Sequence, residues 1–458
     1  MSRRRRAVDA KAQVALWSGD DDAGDRAGPS CPVHPERDVR VKRARRSQLG
    51  WGRVDLDAEV PADHPVRAIA AVVDQLDLRG LYADVRARGE TAGAAAIDPK
   101  ILLGLWIYAT SDGVSSGREI ARLVELHAVY RWLCGGVEVA YHRLNDFRSD
   151  HGDRFDDLVT QILARLMKHD LIDLHRVAQD GTRIRASAGA SSFRSSNSLD
   201  RLMLEARAHL AAVTAEAADS ALTARRAATM ARVAQDWLAR LEHAVAELPD
   251  VVAIKKKSGA KDTTPRVSTT DPDARVMKMP DGGFRPAFNI QFATTTDAAR
   301  AIVGVSVTNR GSDQGQAMPM LAQIEARTGR RPAEILLDGG YPSHDTIDQV
   351  TAAGVTLYAP VPAPRVKADP PPDQPPIDPH LPRPGDSDAV AAWRIRMATD
   401  DAKQIYKLRA ATAETVNADA KAHRGMAATA LRGLDKVAGS ACLFVLTYNI
   451  LRFITLHA

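Results

Sequence analysis

Three acidic residues lie where a carboxylate could take part in chemistry. Asp180 and Asp338 each follow an apolar, strand-like segment, and each precedes a glycine. Because glycine turns at little steric cost, both carboxylates are expected at the carboxyl ends of central strands, where sites in α/β sheets assemble. Glu414 lies in a helix-like segment, seven residues before Lys421. Since seven residues are nearly two helical turns, both side chains are expected on one face.

Two strands and a helix that each supply a carboxylate would form the ligand set of a two-Mg²⁺ site. Mg²⁺ prefers oxygen ligands and binds through a few carboxylates, waters and phosphate oxygens. Two such ions about 4 Å apart stabilise the attacking and leaving oxygens of an in-line phosphoryl displacement. Nearby cations, Lys421, Arg409 and Arg424, could hold a DNA backbone. Taken singly, an Asp before Gly is more often a turn residue, and a Glu and a Lys on one helix face are more often solvated.

The segments before the first acid are predicted to be helical. In residues 65–76, apolar side chains recur at i, i+3 and i+4 after a proline, and Asp98-Pro99 and Ser116 are typical helix starts. Residues 142–151 add a polar face that carries Arg148. We interpret residues 49–172 as an all-α DNA-binding domain with a helix-turn-helix-like character. A plain helical bundle with solvated charges fits the same pattern.

The remaining residues, 173–458, change to a mixed pattern. Their predicted order is a strand, a helical insertion at 198–249, two strands with period two, then helix, strand, helix and strand. Residues 360–386 hold eleven prolines, so residues 360–400 are predicted to be an irregular insertion. Helices are expected over 405–424, 427–434 and 437–453. This is the element order of a mixed α/β, RNase H-like catalytic domain.

Composition and charge place the chain among ordinary soluble proteins. Apolar residues make up 45% of its 458 residues and charged residues 26%. The longest apolar stretches are shorter than the ~18 residues of a membrane span. Three distant cysteines and an arginine-rich start without an apolar core argue against a disulfide framework and a secretory signal. We therefore expect a cytoplasmic protein without a membrane partner.

The first 48 residues carry the net charge. They hold twelve Lys and Arg against seven Asp and Glu, an excess that equals the +5 of the whole chain. Arginine, aspartate, glycine and proline dominate, without periodicity, so residues 1–48 are predicted to be a basic disordered tail. Such a tail could neutralise DNA phosphates or simply be solvated.

Several short segments, taken together, resemble bacterial insertion-sequence transposases of the DDE class, in particular those with a YREK-type signature and an N-terminal helical DNA-binding domain. The resemblance covers about residues 50–458. The matching segments are residues 179–186, 337–341, 406–409, 414, 421–425, 432–434 and 448–449, with residues 97–110 and 145–151 in the N-terminal domain.

The resemblance implies a role for each matching position. Asp180, Asp338 and Glu414 would be the catalytic, metal-binding triad for Mg²⁺, with Mn²⁺ as a substitute. Tyr406, Arg409 and Lys421 would complete the signature, the last two on DNA phosphates. Four residues separate Arg409 from Glu414, whereas the family signature has three. Further candidate DNA-binding residues are Arg424, Arg183 and Arg148.

The function implied is a transposase that binds the terminal inverted repeats of its element, cleaves phosphodiester bonds and joins the 3′ ends to target DNA. A homodimer on DNA and a bacterial, nucleoid-associated location follow from the family. Two alternatives stay open. One is a degenerate remnant that binds DNA without cutting it, and the other is an RNase H-like nuclease without strand transfer.

Overall fold

The computed structural model describes residues 39–46, 55–89, 94–219, 224–257, 264–363 and 378–456. The chain is a mixed α/β protein. A mainly helical region up to residue 168 leads into a six-stranded sheet, and the last long helix returns to pack against both.

The N-terminal helices begin at the expected caps. The Asp98 carboxylate accepts the Lys100 backbone N–H at 3.0 Å, and the Ser116 hydroxyl accepts that of Glu119 at 3.4 Å. These oxygens satisfy N–H groups that the first turn of a helix leaves unpaired. The helices are α1 (Pro65–Gln75), α2 (Arg79–Ala83), α3 (Pro99–Ser111), α4 (Gly117–Leu126), α5 (Ala128–Cys134), α6 (Tyr141–Asp150) and α7 (Gly152–Lys168).

Two short strands modify the predicted all-α domain and the predicted tail. Strand β1 (Val41–Lys42) pairs in parallel with β2 (Ala96–Ile97), and Val39 bridges Arg88. Residues 39–46 therefore join the N-terminal region instead of belonging to a disordered tail. The rest of that tail, residues 1–38 and 47–48, lies outside the described residues.

The sheet follows. Its six strands are β3 (Arg176–Arg185), β6 (Arg275–Lys278), β7 (Phe284–Thr295), β8 (Ile302–Thr308), β9 (Glu334–Leu337) and β10 (Thr356–Tyr358), while β4 (Phe193–Ser195) and β5 (Arg266–Ser268) pair separately. Five of the six run in the order β10-β9-β3-β7-β6, and the sixth, β8, pairs with β7. Central strand β3 is parallel to β9 and antiparallel to β7.

The helical insertion is longer than predicted. It comprises α8 (Ser196–Asp219), α9 (Ala224–Ala246) and α10 (Leu248–Lys257), and three lysines at 255–257 end the last of these helices. Its helices bury their own small core, which includes Leu199, Leu241 and Val251. The insertion therefore has an apolar cluster separate from the main core.

The proline-rich insertion is shorter than predicted. Residues 364–377 lie outside the described residues, but residues 388–398 of the predicted insertion form a regular helix that Ser387 caps. Helices α11 (Ala317–Thr328) and α12 (His344–Ala352) flank β9, and α13 (Asp388–Ala398), α14 (Asp400–Arg409), α15 (Thr415–Ala422) and α16 (Leu434–Leu456) form the C-terminal part.

The helix predicted over 427–434 is absent. Ala428 there bridges Arg185 at the end of β3.

Helix α16 is the one described helix long and apolar enough to cross a membrane, which the sequence prediction overlooked. About two thirds of its most apolar window is buried against the rest of the protein, as in a core helix. It contacts α3, α7 and β8. Where it crosses the start of α7, Gly152 and Gly439 approach so closely that a Cβ on Gly439 would lie 2.7 Å from the Gly152 Cα.

Candidate active site

Asp180 lies in the middle of β3, and not at a turn as its glycine neighbour suggested. Gly181 serves a different purpose: a Cβ there would lie 2.3 Å from Asp313 Oδ1 and 2.4 Å from Gln291 Nε2. Position 181 is a glycine within a continuous strand because neighbouring polar side chains leave no room for a larger residue. Because successive residues of a strand point to opposite faces, this close packing lies on the face of the sheet opposite to the Asp180 side chain.

Asp338 occupies the position that the sequence predicted, directly after β9. In the parallel pairing of β3 and β9, Gln179 stands opposite Leu337, so Asp180 and Asp338 take the next positions on neighbouring strands. The Asp338 side chain is 52% exposed, and its Oδ1 accepts the Gly339 backbone N–H at 2.6 Å. The two aspartates thus face one region of the sheet edge from adjacent strands.

Glu414 reaches the same region through an irregular helix. Residues Ala410–Glu414 form a π-helical turn between α14 and α15. A π-turn accommodates one extra residue within an α-helix, and such turns are frequent at functional sites. The spacing of Arg409 and Glu414, one residue longer than the resemblance predicted, falls within this turn, and the two side chains still hydrogen-bond.

Arg409 joins all three acids. Its Nη2 lies 3.0 Å from Asp180 Oδ1 and 3.9 Å from Asp338 Oδ2, and its Nη1 donates to Glu414 Oε1 at 3.1 Å. The Arg409 and Asp180 side chains are only 10% and 14% exposed, whereas the Glu414 side chain is 57% exposed. The structure therefore brings the predicted triad together around one guanidinium.

The electrostatics of this cluster follow from burial and charge. Burial raises the pKa of Asp180, and the neighbouring Asp338 adds to the rise while Arg409 opposes it. Burial alone would lower the pKa of Arg409, but Asp180 and the other surrounding anionic groups outweigh it and the net direction is upward. Two close carboxylates, one of them buried, need a cation. Arg409 supplies that charge in this structure.

Two further side chains complete the surroundings of Asp180. Asn417 Nδ2 donates to Asp180 Oδ2 at 2.9 Å. Asn417 follows Glu414 by three residues, a helical spacing that could have revealed it in the sequence. Lys421 is half-buried, and burial lowers its pKa while the Asp180 charge opposes the shift. The predicted Lys421 thus lies near the cluster, without an acidic partner within 4 Å among the described residues.

A buried polar network supports the strand that carries Asp180. Asp313 Oδ1 accepts from Asn289 Nδ2 at 2.7 Å and from Gln291 Nε2 at 2.6 Å. Gln291 Oε1 in turn accepts from the Tyr341 hydroxyl and from Gln179 Nε2. Sequence reasoning missed this network, because its polar residues on β7 read as the outer face of a half-exposed strand. Inside a protein, such a network fixes side-chain positions when its members are paired.

Three other arginines predicted to bind DNA lie outside the cluster. Arg183 donates to the carbonyl oxygens of Lys278 at 3.1 Å and Gly311 at 2.8 Å. Arg424 pairs with Asp419 at 3.0 Å and donates to the Ser111 carbonyl, which ties α15 to α3. Both guanidinium groups hold backbone in place.

Arg148 is buried inside the N-terminal region. Only 8% of the residue is exposed, and its guanidinium carbon stacks 4.3 Å from the centre of the Trp106 ring. Its Nη1 donates to the Ser115 carbonyl at 2.8 Å, and burial lowers its pKa to about 10. Arg148 therefore lies inside the fold, at a pocket, and not on an outward-facing polar helix face.

A second group of possible metal ligands lies at the base of the insertion. His243, Glu247 and Asp273 are the one set of three such residues, in the part of the chain that is described, whose ligand atoms all lie within 4.8 Å of one another. Its oxygens already have partners. Arg275 pairs with Glu247, and Asp273 Oδ2 accepts the Leu434 backbone N–H at 2.8 Å. These contacts account for the group as a structural ion-pair network.

Comparison with protein families gives two matches. Residues 54–150 match the family described as transposase domain (DUF772), and residues 383–454 match the family described as transposase DDE domain. The second match includes Glu414 and Arg409, whereas Asp180 and Asp338 lie outside it. Searches of curated proteins and of solved structures found no significant match. Together the two matches, to a transposase domain and to a transposase DDE domain near the two ends of the described residues, support an insertion-sequence transposase of the DDE class.

Proposed function

We propose that the protein binds the terminal inverted repeats of its own element, cleaves phosphodiester bonds there and transfers the 3′ ends to target DNA by two-metal-ion catalysis. The observation that carries this proposal is the meeting of Asp180, Asp338 and Glu414 around Arg409. These acids are separated by up to 234 positions of sequence. Chance proximity of three such distant acids on one guanidinium is a poor alternative explanation.

The strand order supports an RNase H-like catalytic core. Strands β8, β7 and β3 are antiparallel neighbours, and β9 and β10 continue the sheet in parallel with β3. In the sequence, the helical insertion lies between β3 and β7, and helix α12 lies between β9 and β10. We therefore propose residues 173–458 as the catalytic domain and residues 49–172 as the DNA-binding domain.

The residues present fit divalent metal. Carboxylate oxygens are the donors that Mg²⁺ prefers, and Mn²⁺ can take the same ligands. Asp338 and Glu414 are more than half exposed, so their oxygens are accessible from solvent. Mg²⁺ held by Asp180, Asp338 and Glu414 would supply Lewis-acid stabilisation of the oxygens at the reacting phosphorus. The guanidinium of Arg409 now holds these same carboxylates together.

The remaining residues would position DNA. Lys421 is a cation without an acidic partner near Asp180 among the described residues, which suits contact with a phosphate oxygen. Arg409 can exchange its carboxylate partners for a phosphate when metal ions neutralise the acids. Asn417 holds the Asp180 carboxylate in place, and the network through Gln291 holds Gln179, the preceding residue of β3. In cleavage, a water oxygen would bond to phosphorus and lose its proton to solvent as the P–O3′ bond breaks and the departing O3′ takes up a proton. The freed 3′-hydroxyl would lose its proton and bond to a phosphorus of target DNA as the P–O3′ bond there breaks.

A cleavage assay on element-end DNA tests the proposal. The purified full chain with Mg²⁺ should nick the DNA at the element boundary and join the 3′ ends to a plasmid. Asp338→Asn should lower the cleavage rate by about 10²–10³-fold or more, the size of losing one preorganised electrostatic group. Asp338→Asn keeps the side-chain size, and its binding to the same DNA measured by gel shift is the internal control.

The two alternatives predict different products. A degenerate remnant would bind element ends without Mg²⁺-dependent nicking, and an RNase H-like nuclease would hydrolyse DNA without joined product. A homodimer on paired ends would appear as a complex of two chains and two DNA ends in sizing experiments. Cleavage that is equal in the wild type and in Asp338→Asn would contradict the proposed site.

A further inference from the structure

A pocket lies between the N-terminal helices and the C-terminal part of the chain. Its volume is about 290 Å³, and Trp106, Arg118, Arg148, Ile184, Arg424 and Phe444 are among its lining residues. Ile184 is four residues beyond Asp180 on β3, a distance of about 13 Å along a strand. The pocket therefore joins both matched family regions at a short distance from the triad.

Arg148 is the unusual feature of this pocket. It is more than nine-tenths buried, yet it has no acidic partner within 4 Å among the described residues. Its Nε has no hydrogen-bond partner either. The ring of Trp106 and one carbonyl, that of Ser115, are its recorded contacts. Because a buried charge is normally paired, an arginine in this state leaves a place for an anion.

The surrounding groups also favour an anion. Helix α4, ten residues long, begins at the pocket with Ser116, Gly117 and Arg118. A helix start presents free backbone N–H groups and partial positive charge. Arg118 is exposed at the rim, where its guanidinium lies 5.0 Å from the centre of the Tyr141 ring. Among the residues that line the pocket there is no Asp or Glu to oppose these cations.

We infer that this pocket binds a phosphate group of the DNA strand that enters the active site, with Arg148 as its buried counter-ion and Arg118 at its rim. This inference rests on the proposed function for the source of the phosphate. Such a contact would fix the DNA between the N-terminal domain and the catalytic strand β3.

The substitution Arg148→Met tests the inference, because it keeps the stacked stem and removes the charge. If an anion is the missing partner, the free variant should be as stable as the wild type or have a higher Tm. Added inorganic phosphate should raise the Tm of the wild type but not of the variant. In DNA binding, the slope of log K against log salt should fall by about one. The ratio of the wild-type DNA affinity to the DNA affinity of Arg148→Met should then fall about fourfold between 50 and 200 mM salt.

Controls separate this inference from the proposed function. Arg118→Gln, at the exposed rim, should reduce the slope even if Arg148→Met fails to fold, and Arg330→Gln, an exposed arginine outside the pocket, should leave it unchanged. A lower Tm for Arg148→Met with an unchanged slope would overturn the inference and make Arg148 purely structural. Failure of the wild type to bind element ends would contradict the proposed function instead. If phosphate raises the Tm of the wild type but Arg148→Met does not change the salt dependence of DNA binding, the pocket binds free phosphate and the inference about DNA is wrong.

Discussion

Two clusters of acidic residues in this protein have opposite designs. The triad at residues 180, 338 and 414 assembles distant parts of the chain around Arg409 and keeps two carboxylates more than half exposed. The group of His243, Glu247 and Asp273 is tighter, but Arg275 and a backbone N–H occupy its oxygens. Close ligand atoms alone therefore do not define a metal site. What distinguishes the triad is accessible oxygen beside cations that could hold phosphate.

The largest expected difference between the clusters is in catalysis. Asp180→Asn removes the charge of the buried carboxylate that we propose as a metal ligand and that Arg409 and Asn417 contact, so cleavage should fall by about 10²–10³-fold or more. His243→Gln, in the other cluster, should leave the cleavage rate within about twofold. The two variants are compared by their cleavage rates on element-end DNA at saturating Mg²⁺. An equal loss of rate in both variants would show that the two clusters do not differ in their importance for cleavage.

The π-turn offers the next largest effect. Deletion of Ala411, an exposed residue of that turn, would convert it to a continuous α-helix with the same facing of Arg409 and Glu414. Insertion of one alanine at the same place would rotate Glu414 by about 100°. We expect cleavage within about tenfold of wild type for the deletion and loss of cleavage for the insertion. Equal activity of both variants would show that the position of Glu414 does not matter.

The effect on stability should be larger in the cluster of His243, Glu247 and Asp273, as a comparison of its partner Arg275 with Arg409 can show. Arg275 is 8% exposed and pairs with Glu247, so Arg275→Met breaks a largely buried pair and should cost about 3 kcal/mol of unfolding free energy. Arg409→Met leaves carboxylates of which two are well exposed to water, so its cost should be smaller. Urea unfolding of both variants measures this. A larger loss for Arg409→Met would mean that the triad is also mainly structural.

The smallest expected effect is in metal binding without DNA. Removal of Arg409 takes away the cation that competes for the triad, so Arg409→Gln should bind Mn²⁺ more tightly, by several-fold, as followed by its electron paramagnetic resonance signal. His243→Gln should leave Mn²⁺ binding unchanged. If His243→Gln abolishes Mn²⁺ binding while Arg409→Gln has no effect, the metal is bound by His243, Glu247 and Asp273 instead.

Local sequence patterns predicted much of the fold. Helix starts at Pro65, Asp98 and Ser116 were confirmed, since a cap and an apolar stripe are written in adjacent residues. The helix predicted over 427–434 was wrong, and so was the proline-rich reading of residues 388–398. The first failed because the backbone at Ala427 and Thr429 hydrogen-bonds to Arg185 at the end of β3, a tertiary contact that overrides the helix propensity of alanine. The second failed because a run of prolines says little about where the next helix begins.

The sequence by itself determined which residues carry charge, where several helices begin, and which acids could form a site. Only the tertiary structure decided that Asp180 lies within a strand, that Gly181 is there for space, and that Arg409 joins three distant carboxylates. The reason is physical. Propensity and periodicity act between near neighbours, whereas burial, close packing and the pairing of charges depend on which segments meet when the sheet assembles.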